Sequence, residues 1–164
     1  STLFPYTTLF RSERCLAEEP AGWPNAVEEV LRYDSPVQVT LRAPREDTEV
    51  HGIPVPEGRS VVIMLGGANR DPDTFADPHR FDTTRANARE HLAFSAGPHF
   101  CLGAQLARLE AGTALRVLFE RLPDLALAGR PTRRGTRVLR GYQHLMLTGP
   151  AAEGSSGRAR AASW

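Results

Sequence analysis

Cys101 is the residue of this sequence best placed to do chemistry. It stands inside residues 94–108, Phe-Ser-Ala-Gly-Pro-His-Phe-Cys-Leu-Gly-Ala-Gln-Leu-Ala-Arg. A helical pattern begins behind it: Leu102, Leu106, Ala107 and Leu109 share a face, and Gln105, Arg108 and Glu110 turn away. A cysteine at a helix start lies near unpaired N–H groups and the positive dipole end, which both favour thiolate over thiol. Gly97 can take a backbone conformation closed to other residues, and Gly103 removes a side chain where something flat could press on the helix. Thiolate is a strong, soft ligand for iron. The cysteine alone leaves three readings open. It can be a buried structural thiol, as free cysteines mostly are. It can pair catalytically with His99, although residues two apart seldom share a helix face. Or the loop can hold one sulfur under a planar metal cofactor, the one reading that also accounts for the Gly and Phe positions.

The elements that must position this loop come before it. Residues 13–19 read as a helix end, broken by Pro20, Gly22 and Pro24. Asn25 is the expected cap of a helix over residues 26–33 with Val27, Val30 and Leu31 on its apolar side. Glu29 and Arg32, three apart, share a face of that helix and can pair. Residues 37–41 alternate and read as a strand, and residues 50–53 and 60–65 as strands flanking a Pro/Gly turn over 54–58. Residues 66–89 carry loop chemistry, and a long polar loop inside a compact domain is functional or tightly tied down. Behind Cys101 the helix runs from residue 102 to about residue 122, where Pro123 stops it. Residues 125–127 and 138–147 read as short strands, with an Arg-rich turn between them.

The chain has 164 residues and a formal net charge of +1, so nothing points to nucleic acid or an anionic membrane as partner. All 20 of its Lys+Arg residues are arginine. Cys15 and Cys101 do not make a disulfide framework. With no apolar run of bilayer length and no secretory signal, a soluble cytoplasmic protein is expected. Residues 1–12 match the translation of a widely used sequencing-adapter oligonucleotide and are expected to be an artefact, the natural sequence starting near Glu13. Residues 13–150 then form the domain, and the Gly/Ser/Ala/Arg-rich residues 151–164 are expected to be a disordered tail.

Phe94-x-x-Gly97-x-His99-x-Cys101-x-Gly103 resembles the haem-ligand signature of the cytochromes P450, with Ser95 where that family often has glycine. Glu29-Val-Leu-Arg32 resembles the family's Glu-x-x-Arg helix, and Pro78-His-Arg80-Phe81 its Pro-x-Arg-Phe element. The resemblance runs from about Trp23 to Pro150 and covers only the C-terminal portion of the family's fold. It implies an α+β, mainly helical class: Glu-x-x-Arg helix, small β region, meander, Cys-ligand loop, long helix and C-terminal β hairpin. It also implies a bacterial haem-thiolate monooxygenase that inserts one oxygen atom of O2 into a small lipophilic substrate. The cofactor would be haem b, with electrons from NAD(P)H through a ferredoxin and its reductase. Cys101 would be the axial ligand. Arg42 and His99 would hold propionates, Phe94 would pack beside the sulfur, and Leu102 with its neighbours Gly97 and Gly103 would shape the loop and tune the sulfur. Glu29, Arg32 and Arg80 would form a buried structural triad. Val37, Gln38, Val39, Thr40, Val138 and Leu139 would line the substrate. The family's distal helix, with its acid–alcohol pair, has no counterpart before Glu29, so the fragment alone is expected to be inactive. The competing reading is a haem-binding module without activity, or a remnant. His51, His91 and His144 show no metal spacing and read as surface or loop residues.

Overall fold

The computed structural model describes residues 22–122 and 124–149. The expectations for residues 1–12, for Cys15, for Pro123 as a helix stop and for the tail fall outside them. The first helix, α1 (Trp23–Tyr33), starts earlier than the sequence suggests. Pro24, expected to break the chain, sits in its first turn, where a fixed φ suits a helix and no N–H is missed. Asn25 is therefore inside the helix and caps nothing. Its side chain instead donates to the carbonyls of Thr83 and Arg85 at 2.8 and 3.1 Å. The helix ends where Asp34 N–H reaches back to Val30 O, ahead of Pro36.

The β region is two small antiparallel pairs. Strands β1 (Thr40–Arg42) and β4 (Val61–Ile63) pair with Thr40 opposite Ile63. Strands β2 (Thr48–Val50) and β3 (Ile53–Val55) pair as a hairpin. The single strand expected over residues 50–53 is in fact its turn: His51 and Gly52 both have positive φ, 50° and 79°. That is the geometry two-residue hairpins need to match strand twist. A short helix, α2 (Leu65–Ala68), then leads into the irregular stretch. Beyond it α3 (Ala104–Arg121) is the longest element. Two further pairs close the chain: β5 (Ala126–Leu127) with β8 (Leu147–Thr148), and β6 (Thr132–Arg133) with β7 (Tyr142–His144). The expected strand over 138–147 is thus broken in two.

Helices α1 and α3 pack through the stacked rings of Trp23 and Phe119, 5.5 Å apart. Ala26 and Leu125 complete this core, with Val30, Leu115, Leu118 and Leu122 around it. This contact sets the rotation of α3. The stripe of Leu102, Leu106 and Leu109 faces outward and is exposed, whereas Arg108, expected to turn away, is folded in against Glu28.

Candidate functional site

Glu29 and Arg32 lie three residues apart on α1, and both side chains are fully buried. Arg32 Nε donates to Oε2 of Glu29 at 2.7 Å and Nη2 to Oε1 at 2.9 Å, a two-pronged pair. The remaining donors reach the carbonyls of Asn69, Pro78 and Arg80 at 2.8, 3.0 and 3.2 Å. Every guanidinium N–H is therefore used, which is the condition under which a buried charge is tolerated. This pair is the hub that ties the irregular loop to the helix.

The third member differs from expectation. Arg80 has a 70 % exposed side chain whose ionic neighbour among the described residues is Asp82, at 3.8 Å. Arg85 takes its place, with Nε 3.2 Å from Glu29 Oε2 and a side chain only 8 % exposed. It also donates to the carbonyls of Ala76, Asp77 and Arg80. The reason is backbone geometry. Glu29 Oε1 accepts the Asp82 N–H at 2.8 Å, and both arginines bond the Arg80 carbonyl. With its carbonyl drawn inward, residue 80 sends its side chain out.

Asn69 joins this hub to the cysteine loop. It is fully buried, donates to Ser35 Oγ at 2.7 Å and accepts the Leu92 N–H at 2.6 Å. Sequence reading missed it, as it missed Arg85, because neither carries a local pattern. The doubled acid Glu28–Glu29 was the one available signal. Neighbours on a helix point about 100° apart, so a buried pair of this kind serves two networks.

Residues 94–101 fold as a tight loop. Ser95 N–H bonds Leu92 O, Phe100 N–H bonds Gly97 O, and Cys101 N–H bonds Phe94 O, all at 2.9–3.0 Å. Two residues take left-handed backbone: Gly97 at φ 61° and Ser95 at φ 63°. Glycine does this freely and serine at a cost. Cys101 is exposed, so the buried structural thiol is excluded. A Cβ on Gly103 would lie 3.9 Å from Cys101 Sγ, so the glycine keeps the space beside the sulfur clear. His99 is exposed at the end of a single 3-10 turn, Gly97–His99.

Arg42, at the end of β1, reaches the same loop. Its Nη2 donates to Ser95 Oγ at 3.2 Å and its Nη1 to Thr40 Oγ1 at 3.0 Å. Phe94 is half-buried, its ring against those of His91 and Phe100. The segments read as substrate-lining also meet. Val37 bridges Leu139, and Gln38 N–H bonds Val138 O at 2.8 Å. Val138 and Leu139 are exposed, and residues 37–40 are half-buried.

His91 lies in a loop as read, but not at the surface. Its ring is buried, with Nε2 3.0 Å from Glu28 Oε2. Burial pushes its pKa below the ordinary histidine value, and the attraction of Glu28 only partly offsets this. For Glu28, burial acts upward, but the bonds and charges of Arg108 and His91 outweigh it and hold the carboxyl low. Among the described residues no group of three or more His, Cys, Asp or Glu could hold a bare metal ion, and no helix is long and apolar enough to cross a membrane. One exposed sulfur beside a cleared surface suits an iron already held by a flat macrocycle.

The family model described as Cytochrome P450 matches residues 24–123. Cytochrome P450 140 of Mycobacterium tuberculosis is 57 % identical over 137 residues, which is 83 % of this chain and 31 % of that protein. The 6-deoxyerythronolide B hydroxylase of Saccharopolyspora erythraea is 48 % identical over 130 residues, 77 % of this chain and 32 % of its own length. A crystal structure of P450BioI, in complex with hexadec-9Z-enoic acid ligated acyl carrier protein, superposes with a TM-score of 0.80 at 41 % identity. That match covers 89 % of this chain and 37 % of the other. The chain thus spans about a third of the length of the curated relatives it matches. With the loop around Cys101, the Glu29–Arg32 hub and these matches all agreeing, the chain belongs to the cytochrome P450 family.

Proposed function

We propose that this chain supplies the sulfur-bearing side of a haem-thiolate monooxygenase, with Cys101 as the axial ligand of haem b. The observation that carries the reading is the tight loop of residues 94–101, which leaves Cys101 exposed with Gly103 adding no side chain next to its sulfur. The residues fit the group. Phe100 and Leu102 add exposed apolar surface next to the cysteine, and Arg42 brings a cation to the loop's other side. Bound there, haem would supply dioxygen activation, which electron donation from a thiolate favours.

The chain's own residues bind and orient. Cys101 supplies the sulfur, with the Leu102 N–H and its neighbours tuning it. Arg42 and His99 would hold the two propionates, since guanidinium and imidazole N–H groups both donate to carboxylates. Phe94 shields one side of the thiolate, and the open geometry at Gly97 and Gly103 lets the loop lie flat. Val37, Gln38, Val39, Thr40, Val138 and Leu139 form a mostly apolar edge for a lipophilic substrate, in keeping with the fatty-acyl ligand of the P450BioI complex. Electrons come from NAD(P)H through a ferredoxin and its reductase. The product carries one oxygen atom from O2.

The test is reduction under carbon monoxide of haem-loaded protein in which these 164 residues are expressed within a chain of the family's full length. The expected result is the red-shifted Soret band of a thiolate-ligated haem, absent in Cys101→Ser. A serine variant that keeps the band would assign the iron to another residue.

A further inference from the structure

A second buried ionic cluster lies on the neighbouring face of α1, around Glu28. Glu28 Oε1 accepts from Arg108 Nε at 2.6 Å, and Oε2 accepts from Arg108 Nη2 at 3.1 Å. His91 Nδ1 accepts the Ala93 N–H at 3.1 Å, so the imidazole proton sits on Nε2 and is donated to Glu28 Oε2. Arg89 stands further off, exposed, with Nε 3.6 Å from Oε1. The carboxylate is thus held by two inward-facing partners from two different elements.

These partners converge on one ring. The Arg108 guanidinium lies 4.8 Å from the Phe94 centroid, in cation–π range. The His91 ring is 5.8 Å from Phe94 on a tilted approach. The Phe94 carbonyl in turn accepts the Cys101 N–H at 2.9 Å. A continuous path therefore runs from α1 through Glu28 to Arg108 on α3, onto the Phe94 ring, and through its backbone to the cysteine.

We propose that Arg108, pinned by Glu28 and stacked on Phe94, is a positioning residue for Cys101. This rests on the reading of Cys101 as the functional sulfur. Arg108 fixes Phe94, and Phe94 fixes the backbone that orients Cys101. The planar fork is required, because only a guanidinium can grip both carboxylate oxygens edge-on while presenting its face to a ring. A lysine keeps the charge and loses both.

The test is amide hydrogen exchange in the full chain without haem, followed at Cys101 and at the β2–β3 hairpin. Arg108→Lys and Phe94→Leu should each raise the Cys101 exchange rate by about tenfold, with the hairpin amides unchanged. The double variant should exchange little faster than either single one, because both substitutions cut the same path. Arg116→Ala, on the same helix with an exposed partner in Glu120, should leave the Cys101 rate as it is. If Arg108→Lys leaves the rate unchanged, or raises it no more than it raises the hairpin rates, the positioning role is wrong. Haem ligation is tested separately by Cys101→Ser. A protein whose Cys101 exchange rises in Arg108→Lys as expected but which gives no thiolate band would overturn the haem reading and leave the positioning role intact.

Discussion

The Nε of Arg85 lies 3.2 Å from Oε2 of Glu29, across 56 residues of sequence, and gives that buried carboxylate its second guanidinium. Glu29 also carries Arg32 and the Asp82 N–H, so one side chain joins α1 to two points of the irregular loop. Removing Arg85 takes one of two guanidinia from Glu29 and deprives the carbonyls of Ala76 and Asp77 of their donor. Removing Arg80 leaves its inward carbonyl in place.

That asymmetry predicts opposite outcomes for two similar substitutions. Arg85→Ala should lower the unfolding free energy by about 1.5–3 kcal/mol, the worth of a hydrogen bond to a charged group, because Glu29 keeps Arg32. Arg80→Ala should change it by no more than about 0.5 kcal/mol, as for an ordinary surface position. Urea titration followed by tryptophan fluorescence measures both. Equal losses would mean that the Arg80 side chain takes part after all.

Stability should fall with acid in two stages. His91 has its pKa held below the ordinary value, so the folded state favours the neutral ring. Its contribution is complete above the unfolded histidine value, about pH 6.5, and is lost as pH falls through the folded value. Protonation would also cost the Nδ1 bond to Ala93 N–H. Glu28 is likewise held low, so its contribution fades at more acid pH, below the ordinary carboxylate range. Arg108 and Arg89 are the other charges facing this carboxylate. Unfolding midpoints measured from about pH 7.5 down to about pH 2 should show both stages, the first below the histidine reference value and the second below the carboxylate one. In His91→Gln the first stage should vanish while the second remains.

The two left-handed residues of the cysteine loop should respond in opposite directions. A Cβ on Gly97 would meet nothing within 4 Å, so Gly97→Ala carries only the backbone cost of positive φ, about 1–2 kcal/mol. Ser95→Gly removes that same strain but gives up the bond from Arg42. A partly exposed hydrogen bond is worth about 0.5–1.5 kcal/mol, so the net should be neutral to slightly stabilising. Thermal unfolding of the two variants checks the signs. A clearly destabilised Ser95→Gly would show that the Arg42 contact outweighs the strain.

Leu106 and Leu109 form an apolar ridge on the outward face of α3. The double substitution Leu106→Gln/Leu109→Gln should therefore leave stability within about 0.5 kcal/mol per site. It should reduce self-association in sedimentation and binding of hydrophobic dyes, because exposed apolar patches drive both. A large drop in stability would place these leucines in the core instead.

The local half of this protein was legible in its residues. Helices α1 and α3, the turns at Gly and Pro, and the spacing of Phe94, Gly97, His99, Cys101 and Gly103 are set by chain neighbours, and short-range sterics write them into the sequence. The pairing of Glu29 with Arg32 is likewise local, one helical turn. What surrounds them was not. Arg85 on Glu29, Asn69 between Ser35 and Leu92, and Arg108 and His91 on Glu28 join residues 23–80 positions apart. No period or turn signal marks such partners, and Arg80 and Arg85 carry the same charge in the same loop. The choice between them was made by the inward carbonyl of residue 80, and the outward turn of Leu106 and Leu109 by the stacking of Trp23 on Phe119. Both are packing outcomes, decided only when the helix, the loop and the long helix come together.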